Sequence, residues 1–148
     1  MKNILFLCTG NSCRSIMAEC LLRVHGGNKF LSYSAGSNPT GKIHPMTLKT
    51  LENEGVGAQS LHSKAIDEFK GKEIDIVITV CNNAANEYCP TFLGNAVKKH
   101  WDISDPSLCD GSEEEMLIKF KQTYDILKGR IIKLCSSNIL DLRGNYDK

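Results

Sequence analysis

The chain has no apolar run approaching the ~20 residues that span a bilayer, and almost no net charge, 18 basic against 17 acidic side chains leaving +1. The first lack speaks against a membrane-spanning helix. The second removes any long-range pull toward nucleic acid or an anionic membrane, and no basic stripe interleaved with aromatics compensates. The four histidines, His25, His44, His62 and His100, are scattered without ligand spacing, so no metal site is expected. Repeats, low-complexity tracts and linkers are also lacking, and 148 residues suit a single domain spanning 1–148. Lys2 and the apolar residues after it imitate a secretory signal, but the run is short and passes into Asn11, Ser12 and Arg14 without a cleavage-like site. A cytoplasmic protein is expected.

What the chain has in excess is cysteine, seven in all. An odd number without a secretory signal argues against a fixed disulfide framework and for thiol chemistry in a reducing compartment.

Two of the seven lie in Cys8-Thr9-Gly10-Asn11-Ser12-Cys13-Arg14-Ser15, directly after the apolar run Ile4-Leu5-Phe6-Leu7. A thiol, five intervening residues and an arginine form a loop that can wrap a tetrahedral oxyanion. Gly10 and Ser12 are small enough to let successive backbone N–H groups turn inward as an anion nest. The helix expected from Ser15 onward adds N-terminal N–H groups and a favourable dipole. Arg14 supplies a planar fork for two oxygens at once, and such surroundings favour a thiolate at Cys8. The bland alternative is an ordinary strand-to-helix turn with a chance arginine. The strand before and the amphipathic helix after are the context the chemistry requires.

Strand and helix patterns alternate along the chain, which predicts an α/β fold with a four-stranded parallel sheet and helices on both faces. Lys2–Leu7 reads as the first strand. Ile16, Met17, Cys20, Leu21 and Val24 mark one helix face, ended by Gly26-Gly27. Phe30–Ala35 is the second strand. Pro45 suits the first turn of a helix carrying Met46, Leu48 and Leu51 and stopping near Gly55. Ile74–Val80 is β-branched almost throughout and reads as a buried strand, and Ala96–Trp101 as the fourth. Ser112 before Glu113, Glu114 and Glu115 is a helix start by capping and dipole. The stripe Leu117, Phe120, Tyr124, Leu127, Ile131 and Leu134 then fits a helix lying on the sheet, with a short coiled-coil dimer as the alternative. Ligand is expected at the carboxyl end of the first strand.

Cys81 directly follows the Ile74–Val80 strand, and Cys89 comes eight residues later, before Pro90. In a parallel sheet Cys81 ends on the same edge as Cys8, so a Cys81 thiolate could attack sulfur at Cys8 and Cys89 could then attack Cys81. On a straight helix Cys81 and Cys89 would stand ~12 Å apart, whereas a disulfide needs Cα atoms within roughly 7 Å. Asn82, Asn83 and Asn86 are poor interior helix formers, so the segment is expected to be helical when reduced and looped out when Cys81–Cys89 closes. The alternative is a buried strand-end thiol at Cys81 and an unrelated surface thiol at Cys89.

Taken together, the chain resembles the thioredoxin-coupled arsenate reductases, built on the low-molecular-weight protein tyrosine phosphatase fold. The resemblance covers nearly the whole chain: Cys8–Ser15, Tyr-Ser-Ala-Gly at 33–36, His44-Pro45, Val-Ile-Thr-Val-Cys at 77–81, Cys89-Pro90, and His100-Trp101 before Asp105-Pro106. It implies that Thr9, Gly10, Asn11, Ser12, Cys13, Arg14 and Ser15 bind arsenate while Cys8 attacks it. It further implies that Asp105 protonates the departing oxygen, that Cys81 and Cys89 relay the oxidation, and that thioredoxin reduces the last disulfide. Electrons come from cysteine, so neither metal nor organic cofactor is implied, and the expected enzyme is a monomer with weak phosphatase side activity. Two departures stand out. The relay cysteines are one residue further apart than in the familiar members. Some relatives also bind a monovalent cation behind the loop through an acidic residue after a His-Ser/Thr pair, whereas here His62-Ser63 is followed by Lys64 and Ala65. The resemblance therefore implies a weakened or absent cation site, with Asn11 and Ser34 bracing the loop.

The remaining cysteines have plainer readings. Cys13 packs inside the loop or protects Cys8 in a disulfide, Cys20 belongs to the core, and nothing singles out Cys135. Cys109 is a surface thiol or an interceptor of the relay. Asp105-Pro106 read alone is only a turn. Two other functions fit parts of the pattern. A tyrosine phosphatase would use Cys8, Arg14 and Asp105, but Ser107-Leu108-Cys109 offers no aromatic wall after the Asp-Pro pair. A non-catalytic oxyanion or redox sensor would use the cysteines without turnover.

Overall fold

A computed structural model describes residues 1–58, 60–81 and 93–137. Its centre is β1 (Lys2–Cys8), in which Ile4, Leu5, Phe6 and Leu7 have no exposed surface. Four consecutive apolar residues can all be buried only where a strand is covered on both faces. β1 pairs in parallel with β2 (Phe30–Gly36) on one side and β3 (Ile76–Thr79) on the other, and β4 (Val97–His100) continues the sheet beyond β3. The order β2-β1-β3-β4 reverses direction between β1 and β3. Such a switch point opens a crevice at the carboxyl ends of those two strands, where Cys8 and Cys81 lie.

Three α-helices follow the predicted positions: α1 (Arg14–His25), α2 (Pro45–Asn53) and α3 (Glu113–Ser136). Their buried residues join Ile4, Phe6, Ile76, Ile78 and Trp101 in one cluster on one face of the sheet. The opposite face carries Leu5, Leu7 and Val77, packed among the described residues with the short 3-10 helix Ile66–Phe69 and with Leu93 and Ala96. The α3 stripe Phe120, Tyr124, Leu127, Ile131 and Leu134 is buried within the chain, against α1 and α2. It is therefore not available as a coiled-coil seam.

Several boundaries differ from the sequence reading, each for a local reason. α1 begins at Arg14 rather than Ser15, with Cys13 as N-cap and no capping side chain. Val24, expected on its apolar face, is exposed because α1 is packed only through Leu22; Gly27 at φ +57° then turns the chain away. On α2, Leu48 is exposed and Thr47, Thr50 and Leu51 face inward, since Thr47 and Thr50 bond carbonyls at Ser12 and Met46. β3 is shorter than Ile74–Val80, and just before its start the Asp75 carboxylate accepts the Asn3 N–H at 2.7 Å. Trp101 leaves β4 yet stays fully buried, its ring 5.8 Å from that of Phe6.

Candidate active site

The loop from Cys8 to Arg14 is held from outside by its carbonyl oxygens. Cys8 O accepts from Ser37 N, Thr9 O from Asn38 N, and Gly10 O from Thr40 N and the Ser63 hydroxyl. Ser12 O accepts from His44 N and Thr47 Oγ1, and Cys13 O from Met17 N. In a trans peptide, C=O and the following N–H point in opposite directions. Tying these carbonyls outward therefore turns the N–H groups of Thr9, Gly10, Asn11, Cys13 and Arg14 toward the inside of the loop, the anion nest the sequence suggested. The uncapped start of α1 closes the ring. Gly36 makes the close approach possible: a Cβ there would lie 2.5 Å from Thr9 O and 3.1 Å from Asn11 N.

Cys8 ends β1 and is 3% exposed. Its Sγ lies 2.9 Å from Ser15 Oγ and accepts the Asn11 N–H at 3.3 Å. Asn11 itself is fully buried in a left-handed conformation, φ +48°, which asparagine tolerates better than most residues. Its Nδ2 donates to Ser15 Oγ and Ser34 Oγ, both at 2.9 Å, and its Oδ1 accepts the Lys64 N–H at 2.9 Å. Ser15 Oγ accepts from Asn11, which leaves its own proton available to Cys8 Sγ. The sulfur is thus flanked by the Asn11 N–H and the Ser15 hydroxyl. The side chains of Asn11 and Ser15 act on the loop and the thiol, while the backbone of the loop faces any anion.

Arg14 lies across the mouth, 8% exposed. Its Nη1 donates to Ile103 O at 2.8 Å and its Nη2 stands 3.5 Å from Asp105 Oδ2. The other carboxylate oxygen of Asp105 accepts from the N–H and hydroxyl of Ser107 and caps the 3-10 helix Pro106–Leu108. Loop, arginine and Asp105 thus come together from residues far apart in sequence. A groove of about 490 Å³ runs from Asp102 and Asp105 past Cys109 to Gln122 and Ile126. Neither Cys8 nor the loop lines it, and a tetrahedral oxyanion, held by converging donors, needs no such volume.

Cys81, 2% exposed, belongs to the same core cluster as Cys8. Leu7 is in register with Thr79 and Val80 N donates to Leu7 O, so Cys81 follows the strand end level with the start of the loop. Cys89, and the expected change of shape between it and Cys81, lie outside the described residues. The other cysteines divide as their burial dictates. Burial raises the Cys13 thiol above its ordinary value and pushes Cys20 up to about 11; Cys20 donates to Gly57 O. Both stay protonated near neutrality. Cys109 and Cys135 are half-buried thiols.

The sequence reading missed the outer support: Thr40, Ser63 and Thr47 on the loop carbonyls, and Glu19 behind them. No periodicity marks these residues, which act through contacts between distant segments; the one available signal was that Thr47 and Thr50 share the inner face of α2. No group of His, Cys, Asp and Glu among the described residues could hold a metal ion.

The sequence profile of the low molecular weight phosphotyrosine protein phosphatase family matches residues 3–142. An arsenate reductase of Bacillus licheniformis is 38% identical over 130 residues, covering 88% of this chain and 92% of that protein. Among solved structures, an arsenate reductase in its phosphate-binding state superposes with a TM-score of 0.78 at 26% identity, over 92% of this chain and 98% of that one. A thioredoxin-dependent arsenate reductase of Corynebacterium glutamicum gives 0.68 at 26% identity, over 90% of this chain and 60% of that one.

Proposed function

Because this chain belongs to the low molecular weight phosphotyrosine protein phosphatase family, among its arsenate reductases, we propose that it reduces arsenate to arsenite by a disulfide relay. The Cys8 thiolate attacks arsenic(V) held by the loop N–H groups and Arg14, and Asp105 protonates the oxygen that departs as water. The Cys81 thiolate then attacks Cys8 Sγ. A Cys8–Cys81 disulfide forms, the electrons of the S–As bond pass to arsenic, and arsenite leaves. Cys89 attacks Cys81 and releases Cys8, and a thioredoxin dithiol reduces the remaining Cys81–Cys89 disulfide. Electrons run from thiol to thiol, so no bound cofactor or metal takes part.

The observation that carries this reading is the placement of Cys8 and Cys81 at the carboxyl ends of adjacent parallel strands, within one buried cluster. A phosphatase has use for Cys8, Arg14 and Asp105 but none for a second thiol there. We assign the enzyme to a reducing compartment, the cytoplasm, acting as a single-domain monomer over 1–148 with neither nucleic acid nor membrane as partner.

The test is NADPH oxidation by thioredoxin reductase and thioredoxin in the presence of the protein, with and without arsenate. Multiple-turnover, arsenate-dependent oxidation is expected. Cys8→Ser should abolish it together with slow aryl-phosphate hydrolysis. Cys81→Ser and Cys89→Ser should abolish it while sparing that hydrolysis. Full turnover in Cys81→Ser would overturn the relay; brisk hydrolysis without arsenate-dependent oxidation would make the protein a phosphatase.

A further inference from the structure

Behind the oxyanion loop, on the side away from its N–H groups, lies a buried charged pair that the proposed chemistry does not use. The side chains of Lys64 and Glu19 are 8% and 6% exposed, with Nζ 3.7 Å from Glu19 Oε1. Lys64 Nζ also donates to His62 O at 2.9 Å and to Ser34 Oγ at 3.4 Å. Ser34 in turn donates to Glu19 Oε1, and Arg23 on the outer side takes Glu19 Oε2 at 2.9 Å. Three oxygens from α1, β2 and the segment before the 3-10 helix therefore converge on one ammonium group.

These bonds fix each other's direction. Ser34 gives its single proton to Glu19, so it must accept from Asn11 Nδ2 and Lys64 Nζ. That orients the Asn11 amide, whose Oδ1 then faces the Lys64 N–H. Asn11 Nδ2 also holds Ser15, whose Oγ meets Cys8 Sγ at 2.9 Å. A continuous chain of contacts leads from Lys64 Nζ through Ser34, Asn11 and Ser15 to the sulfur.

We propose that Lys64 is a positioning residue for the oxyanion loop: its ammonium group is a tethered cation that fills an oxygen-lined cage and holds Asn11 and Ser15 in the orientation that serves Cys8. Arg23 compensates Glu19 from the outer side. Lys64 Nζ, however, is the cation facing Glu19 Oε1, Ser34 Oγ and His62 O on the loop side, and removing it leaves these buried oxygens short of a donor. Burial pulls Lys64 below the ordinary lysine value while Glu19 pulls it back up, as expected for a cation kept in place by its cage. Because the cation is covalently part of the chain, the loop has no need of a small cation from solution.

The inference rests on the Cys8 loop being an oxyanion site but not on arsenate turnover, so calorimetric titration with inorganic phosphate separates the two. In the unaltered protein, phosphate affinity should be the same in tetramethylammonium as in potassium or ammonium salts of equal ionic strength. Lys64→Ala should bind phosphate about tenfold more weakly in tetramethylammonium, in the range for loss of an outer-shell partner. Potassium or ammonium, small enough to enter the vacated cage, should restore it. Lys64→Met, which fills the cage with an apolar chain, should stay weak in every salt. Potassium dependence of the unaltered protein would overturn the proposal without recourse to any variant. So would undiminished binding by Lys64→Ala, or a loss in it that no small cation restores. An unaltered protein that takes up no phosphate would overturn both this and the oxyanion reading; phosphate uptake without arsenate-dependent oxidation would overturn only the reductase.

Discussion

Arg14 serves two masters at the mouth of the loop: Ile103 O and the Asp105 carboxylate share its guanidinium. An oxyanion must compete with that carboxylate for Nη2 and also tolerate its charge nearby. Asp105→Asn should therefore tighten phosphate binding by up to about fivefold, the scale of a partly exposed ion pair. The same change removes the proposed proton donor and should lower arsenate turnover by about a hundredfold. Phosphate titration and the coupled assay, run on one preparation, check both halves; weaker phosphate binding would show that Asp105 supports Arg14 rather than opposing the anion. At this scale the sequence was informative where one residue type has one use. Cys8, Arg14 and Asp105 stood out because a thiol, a cation and a carboxylate in these contexts are distinctive, and the structure brings Arg14 and Asp105 to 3.5 Å. Glu19 and Lys64 were not legible as a pair: buried charges are recognised by their partners, and these partners stand 45 positions apart.

Elements were read well where capping or burial is local. Ser112 accepts the Glu115 N–H while Glu115 accepts the Ser112 N–H, a full capping box at the start of α3. Ser112→Ala should cost about 1 kcal/mol and lower Tm by about 3 °C without changing arsenate turnover, which thermal unfolding and the coupled assay would show. A fall in turnover would mean that α3 supports the site directly. The β-branched run Ile76–Ile78 and the Pro45 start of α2 were equally plain. What failed was the choice of face. Leu48 and Val24 look like core residues in sequence, yet two threonines and the reach of α3 decide which sides of α2 and α1 are covered. Periodicity reports that a helix has an apolar side, not which neighbour will lie against it. Residues 82–89, the part of the Cys81–Cys89 reading with most at stake, fall outside the described residues.

At the scale of the molecule, the parallel order β2-β1-β3-β4 means that the nucleophile's strand pairs first with β2, its near neighbour in sequence, and then with β3, made much later. Arg14 waits longer still for its partner, 89 positions on, and the side of α1 that packs on α3 stays uncovered until α3 is in place. A chain ending at residue 104 should accordingly show no cooperative unfolding and no phosphate uptake by calorimetry, and uptake by that fragment would show that the loop assembles alone. During synthesis the ribosome delivers Cys8 early, then takes roughly 10 s, at about 5–20 residues per second, to deliver the rest. Over that interval the nascent thiol has neither its clamp nor its acid. On the proposed mechanism the enzyme is thus born inert, its sulfur armed only when the polypeptide behind it has folded.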